Sequence, residues 1–206
     1  MSISTYDELK TSIADFLNRD DLTSVIPTFI TLAETNINRD VRHWRMEKRA
    51  TANLDTQYTA LPLDFLEPIR LTLNTANSDT LESVGNFEIS TIRSEIANAT
   101  GKPKYFSILD GSIEVAPTPD ATYTLETLYF AKVPNLNSGN TSNWILTYHP
   151  DLLLYGALMH SAPYLSDDNR IPVWASLYAS AVNSINEENE KANSGGSGRR
   201  MKIRSF

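Results

Sequence analysis

His43, His149 and His160 are the only histidines of the chain and its natural candidates for acid–base or metal chemistry near neutral pH. None stands three or four residues from another histidine, and none falls in a known metal-ligand motif, so no zinc site is expected. His43 reads as a polar neighbour of Trp44, His149 as a residue near a helix start, and His160 as a satisfied histidine on a packed helix. The acidic pairs Asp20–Asp21, Asp167–Asp168 and Glu187–Glu188 contain the residue type that glycoside cleavage uses. Carboxylates in turns and on solvated helix faces are far commoner than catalytic ones, and spacing alone does not give the separation that chemistry requires. There is no cysteine, hence no thiol nucleophile, no disulfide and no thiolate metal site. No nucleophile elbow, Walker-type loop or dinucleotide fingerprint occurs. The run Gly195-Gly196-Ser197-Gly198 lacks the strand and helix that would make it a phosphate cradle. No catalytic, cofactor-binding or metal-binding residue is assigned, and no cofactor is expected.

Two basic clusters remain. Arg39, Arg42, Arg45, Lys48 and Arg49 gather where a long helix ends, partly at the i, i+3 spacing that shares a face. The primary reading is a solvated face at a helix C-terminus, with Asp40 and Glu47 as counter-charges. The functional alternative makes Arg39, Arg42 and Arg45 a subunit or partner contact. In the last segment Arg199, Arg200, Lys202 and Arg204 interleave with Met201, Ile203 and Phe206 behind the glycine-rich linker. Apolar anchors on a flexible, basic end are expected to dock on a partner.

Lys+Arg 18 against Asp+Glu 25 gives a formal net charge of -7, so the average surface repels nucleic acid and anionic membrane. At 206 residues the chain is long enough to bury a core without staples. The start MSISTYDELK has neither a basic region nor an apolar one, and no apolar run approaches the length of a membrane span. Neither secretion by a signal peptide nor membrane insertion is expected.

The element that organises the chain is a helix over 24–45, whose Ile26, Phe29, Ile30, Ala33, Ile37, Val41 and Trp44 recur at three- and four-residue steps. Thr23 or Ser24 is expected to cap it, and Pro27 sits harmlessly in its first turn. Ile30, Ile37 and Trp44 are expected to be buried. A shorter helix over 4–18 precedes it, with a capping box from Ser4 and Asp7 or from Thr5 and Glu8. The segment 51–59 is polar. Ile69, Leu71 and Leu73 alternate with polar residues as one strand, and 81–84 gives a second. A helix is expected over 87–98, closed by Gly101 and Pro103. Asp110-Gly111 supplies the positive φ of a tight hairpin between 105–108 and 113–115, and 122–133 reads as a long strand of the same sheet. A loop at 135–143 leads to helices over 149–165 and from Trp174 to Ile185.

These elements make an α+β chain, mainly α. The N- and C-terminal helices are expected to form an antiparallel helical bundle, with a small antiparallel sheet inserted and a flexible C-terminal tail. The divisions are 1–50, 51–147, 148–193 and 194–206.

The succession YDELKTSIADFLNRDDL, IPTFITLAETNINRDVRHWRMEKRAT, LPLDFLEPIRLTL, GKPKYFSILDGSIEVAPTPDATYTLETLYFAKVPNL and HPDLLLYGALMHSAPYL resembles the head-to-tail adaptor (connector) proteins of tailed bacteriophages, especially short-tailed ones. The match runs along most of the chain and is weakest over the linker and tail. It implies a non-enzymatic virion protein, assembled in the host cytoplasm, that forms a homo-oligomeric ring of twelve copies at the head-to-tail junction. Its implied partners are the portal protein and a tail or nozzle protein, with DNA passing through the centre without sequence-specific binding. No membrane is involved. The family pattern also implies that the β-rich insert, with Asp110 and Gly111 at its hairpin, faces the tail while Arg199–Phe206 reach into the portal. An acidic channel wall would let DNA slide where a basic wall would hold it.

Two other classes compete. A DNA-binding regulator would use the first two helices as a helix-turn-helix, but the second is long and apolar at its start and the chain is acidic. A cell-wall-cleaving virion hydrolase would need the carboxylate pairs.

Overall fold

The computed structural model describes residues 3–19, 21–75, 78–165 and 169–194. In chain order these form α1 (Tyr6–Leu17), α2 (Ile26–Asp40), a 3-10 turn at Trp44–Met46, and strands β1 (Glu47–Leu54), β2 (Tyr58–Ala60), β3 (Phe65–Leu73), β4 (Asp79–Thr80) and β5 (Glu82–Ser83). Then come α3 (Asn86–Glu95), β6 (Tyr105–Leu109), β7 (Ser112–Ala116), β8 (Tyr123–Ala131), α4 (Trp144–Tyr148), α5 (Pro150–Met159), a 3-10 turn at Ala162–Tyr164, and α6 (Ile171–Ser194). The chain is α+β and separates into two compact units, one from 1–45 and 133–206, the other from 46–132.

In the first unit α5 touches α1, α2, α4 and α6, which fits its near-continuous apolar sequence. Leu152, Leu153, Leu154, Ala157 and Leu158 of α5 are buried, as are Ile26, Phe29, Ile30, Ala33 and Ile37 of α2 and Trp174, Tyr178 and Ile185 of α6. At Gly156, α5 lies against both α2 and α6. A Cβ there would lie 3.1 Å from the Ala33 Cβ and 3.2 Å from Tyr178 Cε2. The capping box of α1 is the Thr5–Glu8 pair, each side chain bonded to the other's backbone N–H.

α2 is shorter than its periodicity predicts. It begins after Val25 with no side-chain cap, Pro27 in its first turn, and it ends at Asp40 because Val41 is extended (φ -105, ψ 132). The 41–46 segment is tied instead to α6, where Asn186 Oδ1 accepts from Arg42 N–H (3.3 Å) and Asn189 Oδ1 from Trp44 N–H (2.9 Å). Trp44 therefore leaves the apolar face of α2 and is 41% exposed, which corrects its expected burial; Ile30 and Ile37 are buried as expected. α5 likewise stops at Met159, short of residue 165, because Pro163 cannot continue a helix.

The second unit holds two four-stranded sheets, in orders β1-β8-β3-β4 and β2-β7-β6-β5. The hairpin β6–β7 and the long strand β8 thus belong to different sheets, not to one. β8 is drawn between β1 and β3, and its inward residues Leu125, Thr127, Tyr129 and Ala131 are buried. β1, a polar edge strand, escaped the alternation test because only Leu54 of its eight residues is fully buried. The chain crosses between sheets at Leu81, which separates β4 from β5 and joins Leu54, Leu71, Leu73, Phe106, Ile113, Val115 and Leu125 in one core. Ile69 lies at a register shift between Pro68 and Arg70 and faces outward, whereas Leu71 and Leu73 are buried. α3 buries only Ile89 and ends at Glu95, before Ala97 and Asn98 at positive φ (49 and 57) and well before Gly101. Arg93 fixes it to β7 by donating to Glu114 Oε1 (3.1 Å) and Val115 O (2.6 Å).

Candidate functional site

The three arginines singled out in the sequence have three separate engagements in the first unit. Arg39 donates to the amide oxygen of Asn36, one turn back on α2. Arg42 Nη1 donates to the carbonyls of Asn38 (2.9 Å) and Val41 (2.8 Å), closing the C-terminal end of the helix where a cation is favoured. Arg45 lies over two aromatic rings, its guanidinium carbon 4.4 Å from the Trp44 ring centroid and 4.1 Å from that of Tyr148. They do not form one basic face. Lys48 and Arg49, in the second unit, pair with Asp64 (2.6 Å) and Glu126 (3.5 Å).

Beneath Arg45 is a stack of rings. His43 is fully buried, parallel to Trp144 (5.0 Å, 19°) and tilted against Trp44 (5.2 Å, 34°). α4 supplies both aromatics that matter: Trp144 and Tyr148 are four residues apart, so they share a helix face. The helix is placed by Asn143, whose side chain accepts from Leu146 N–H at 2.9 Å. His43 Nδ1 accepts from Arg45 N–H at 3.2 Å, which leaves the ring proton on Nε2. Among the described residues Nε2 has no hydrogen-bond partner; it sits 3.8 Å from Glu188 Oε1, while His149 Nε2 is 3.9 Å from Glu188 Oε2. Burial pushes the His43 pKa down against the opposing pull of Glu188, favouring the neutral ring. A neutral, fully covered imidazole stacked between indoles positions its neighbours; it has no access to a substrate. His160 meets Asn36 through Nε2 (2.9 Å), and burial lowers its pKa too.

Of the carboxylate pairs, the described members Asp21, Glu187 and Glu188 each lie beside a basic or imidazole group. Asp20, Asp167 and Asp168 lie outside the described residues. Asp21 is bonded to Arg19 (2.6 Å), and Glu187 faces Lys191 (3.6 Å). Among the described residues, no group of three or more His, Cys, Asp or Glu could hold a metal ion, and no helix is long and apolar enough to cross a membrane.

The predicted hairpin turn is present in the second unit. Asp110 and Gly111 both have positive φ (45 and 74), as a two-residue turn of this hand requires. Gly111 O accepts from Leu61 N–H at 3.0 Å, and Ser112 Oγ donates to Leu109 O at 2.7 Å. Leu109 is exposed beside the turn. The tail residues Arg199, Arg200, Met201, Lys202, Ile203, Arg204 and Phe206 lie outside the described residues.

Sequence reasoning does not bring Tyr148 to Arg45, Trp144 and Glu188 to His43, or Asn189 to Trp44. The Asn143 cap followed by aromatics at i, i+4 was a usable local signal for α4, but its meeting with Arg45 is a tertiary event.

No curated protein matches the chain. A family model described as SU10 adaptor protein matches residues 4–201. With nearly its whole length matched, the chain belongs to the SU10 adaptor protein family, and it is a phage structural protein consistent with a head-to-tail adaptor.

Proposed function

We propose that this protein is the ring that joins a phage portal to its tail, with twelve copies around a channel through which DNA passes. The observation that carries the reading is the family match over residues 4–201. The architecture is suited to it. One unit, built from both ends of the chain with α5 in contact with α1, α2, α4 and α6, is compact and would stand beside copies of itself. The other, inserted within it, offers short loops and the Asp110–Gly111 hairpin to further virion proteins. In this reading the insert faces the tail or nozzle protein, Arg199–Phe206 anchor in the portal, and the net charge of -7 keeps the channel wall from gripping DNA. Repetition around the ring lets modest tail contacts hold the joint by avidity.

A regulator's recognition helix would need cations on its exposed face, but that face of α2, with Thr28, Thr31, Leu32, Thr35 and Arg39, carries one, on a chain of net charge -7. The test is the mass and low-resolution image of the purified chain with and without its portal. A twelve-fold ring on portal is expected. A monomer or dimer that ignores portal and shifts a DNA duplex would replace the reading with the regulator. Turnover of a cell-wall substrate, lost on removing one carboxylate, would replace it with the hydrolase.

A further inference from the structure

Resting on the ring reading above, we infer that Arg45 is the docking point for a carboxylate of a second copy of this chain. The guanidinium carbon lies over the rings of both Trp44 (4.4 Å) and Tyr148 (4.1 Å), so two aromatic contacts position it before any partner arrives. Trp44 is held in turn by its backbone N–H bond to Asn189 Oδ1 (2.9 Å) and by ring contact with His43, and Tyr148 by the short helix whose Trp144 stacks on the same histidine. Contact with aromatic rings gives a guanidinium no hydrogen-bond acceptor, and its planar fork of N–H donors matches a carboxylate in a bidentate pair. Among the described residues, no acceptor takes those donors, in contrast to Arg39 and Arg42.

The surroundings have the composition of an interface centre rather than of a solvated face. Trp44 is 41% and Tyr148 56% exposed, and arginine with tryptophan and tyrosine is the set that dominates measured binding hot spots. Immobilising such a side chain in advance removes much of the ordering cost of binding. The occupant follows from charge. A phosphate backbone is gripped by several cations in a row, and here one arginine stands with Arg39 and Arg42 engaged elsewhere. An acidic protein surface fits better, and this chain, with Asp+Glu 25 against Lys+Arg 18, presents carboxylates in excess. Each copy would then offer its arginine to one neighbour and a carboxylate to the other, a head-to-tail contact that closes into a ring.

The experiment is sedimentation equilibrium of the full chain alone from about 1 μM to about 1 mM, for wild type, Arg45→Ala, Arg45→Lys and the control Arg19→Ala. Circular dichroism checks each fold. Wild type and the control should associate alike, and both Arg45 variants should associate roughly thirtyfold more weakly, since lysine keeps the charge but not the planar fork. Full association by Arg45→Lys would overturn the proposal, as would a wild type that stays monomeric throughout. Should both variants misfold, hydrogen exchange of the wild type decides: residues 43–46 and 144–148 should gain protection as concentration rises, and unchanged exchange there overturns the site. A chain that fails these tests yet still forms rings on portal refutes the Arg45 contact and leaves the adaptor reading standing.

Discussion

Glu34, 4% exposed on α2, accepts a hydrogen bond from Leu136 N–H at 2.6 Å through Oε1. One turn further on, Asn38 Oδ1 accepts from Val133 N–H at 2.9 Å, so the two side chains clasp the 133–136 segment to the helix. Burial raises the Glu34 pKa from 4.5 to about 7, opposed by the Leu136 bond. The folded state therefore holds a proton that the unfolded state has lost between those values. The Glu34 contribution is full below pH 4.5 and is lost as pH rises through 7. At roughly 1.4 kcal/mol per pKa unit, the swing is on the order of 3 kcal/mol. Glu34→Gln keeps an acceptor and cannot ionise, so it should raise the melting temperature more at pH 8 than at pH 5. Equal shifts at the two pH values would show that Glu34 does not titrate in this range.

Gly156 tests the helix crossing. Gly156→Val would force atoms into Ala33 and Tyr178 and should cost about 1–3 kcal/mol in urea unfolding. Gly156→Ala gains helix propensity, which offsets a tight contact, and should stay within about 1 kcal/mol of wild type.

Ile37 and Trp44, both assigned to one buried stripe by spacing, should now separate. Ile37→Ala removes a fully buried side chain and should cost about 2–5 kcal/mol, whereas Trp44→Ala loses mainly its stacking on His43 and Arg45, about 1 kcal/mol. Similar unfolding free energies for the two variants would return Trp44 to the core.

Gly111→Val places a β-branched residue at φ 74 and should destabilise the second unit by about 1–2 kcal/mol, while Asp110→Asn, which suits the same turn, should be neutral. In assembly assays Gly111→Val is expected to keep portal binding and lose tail attachment. Loss of portal binding with tail association intact would reverse the proposed polarity.

What was legible in the sequence was what local chemistry decides. The Thr5–Glu8 box, the Asp110–Gly111 turn and the apolar stripes of α1, α2 and α6 are each written within a few residues. Neighbours distant in sequence were not. Trp44 continues the spacing of α2, yet Asn186 and Asn189, some 145 positions on, draw its segment away from the helix axis. β1 is polar because it is an edge, and alternation cannot detect a strand with so little buried. β8 was joined to the wrong sheet because pairing between strands far apart in the chain leaves no trace in either strand alone. The site suffered most. Arg39, Arg42 and Arg45 share a spacing but not a role, and only the arrival of Tyr148 from α4 sets Arg45 apart.

The most direct test of the central claim is electron microscopy of particles from the phage with this chain's coding sequence interrupted, with and without added purified chain. The account predicts heads that lack tails, and tails restored when the chain is supplied. Tailed, infectious particles formed in its absence would contradict the assignment of this protein to the head-to-tail joint.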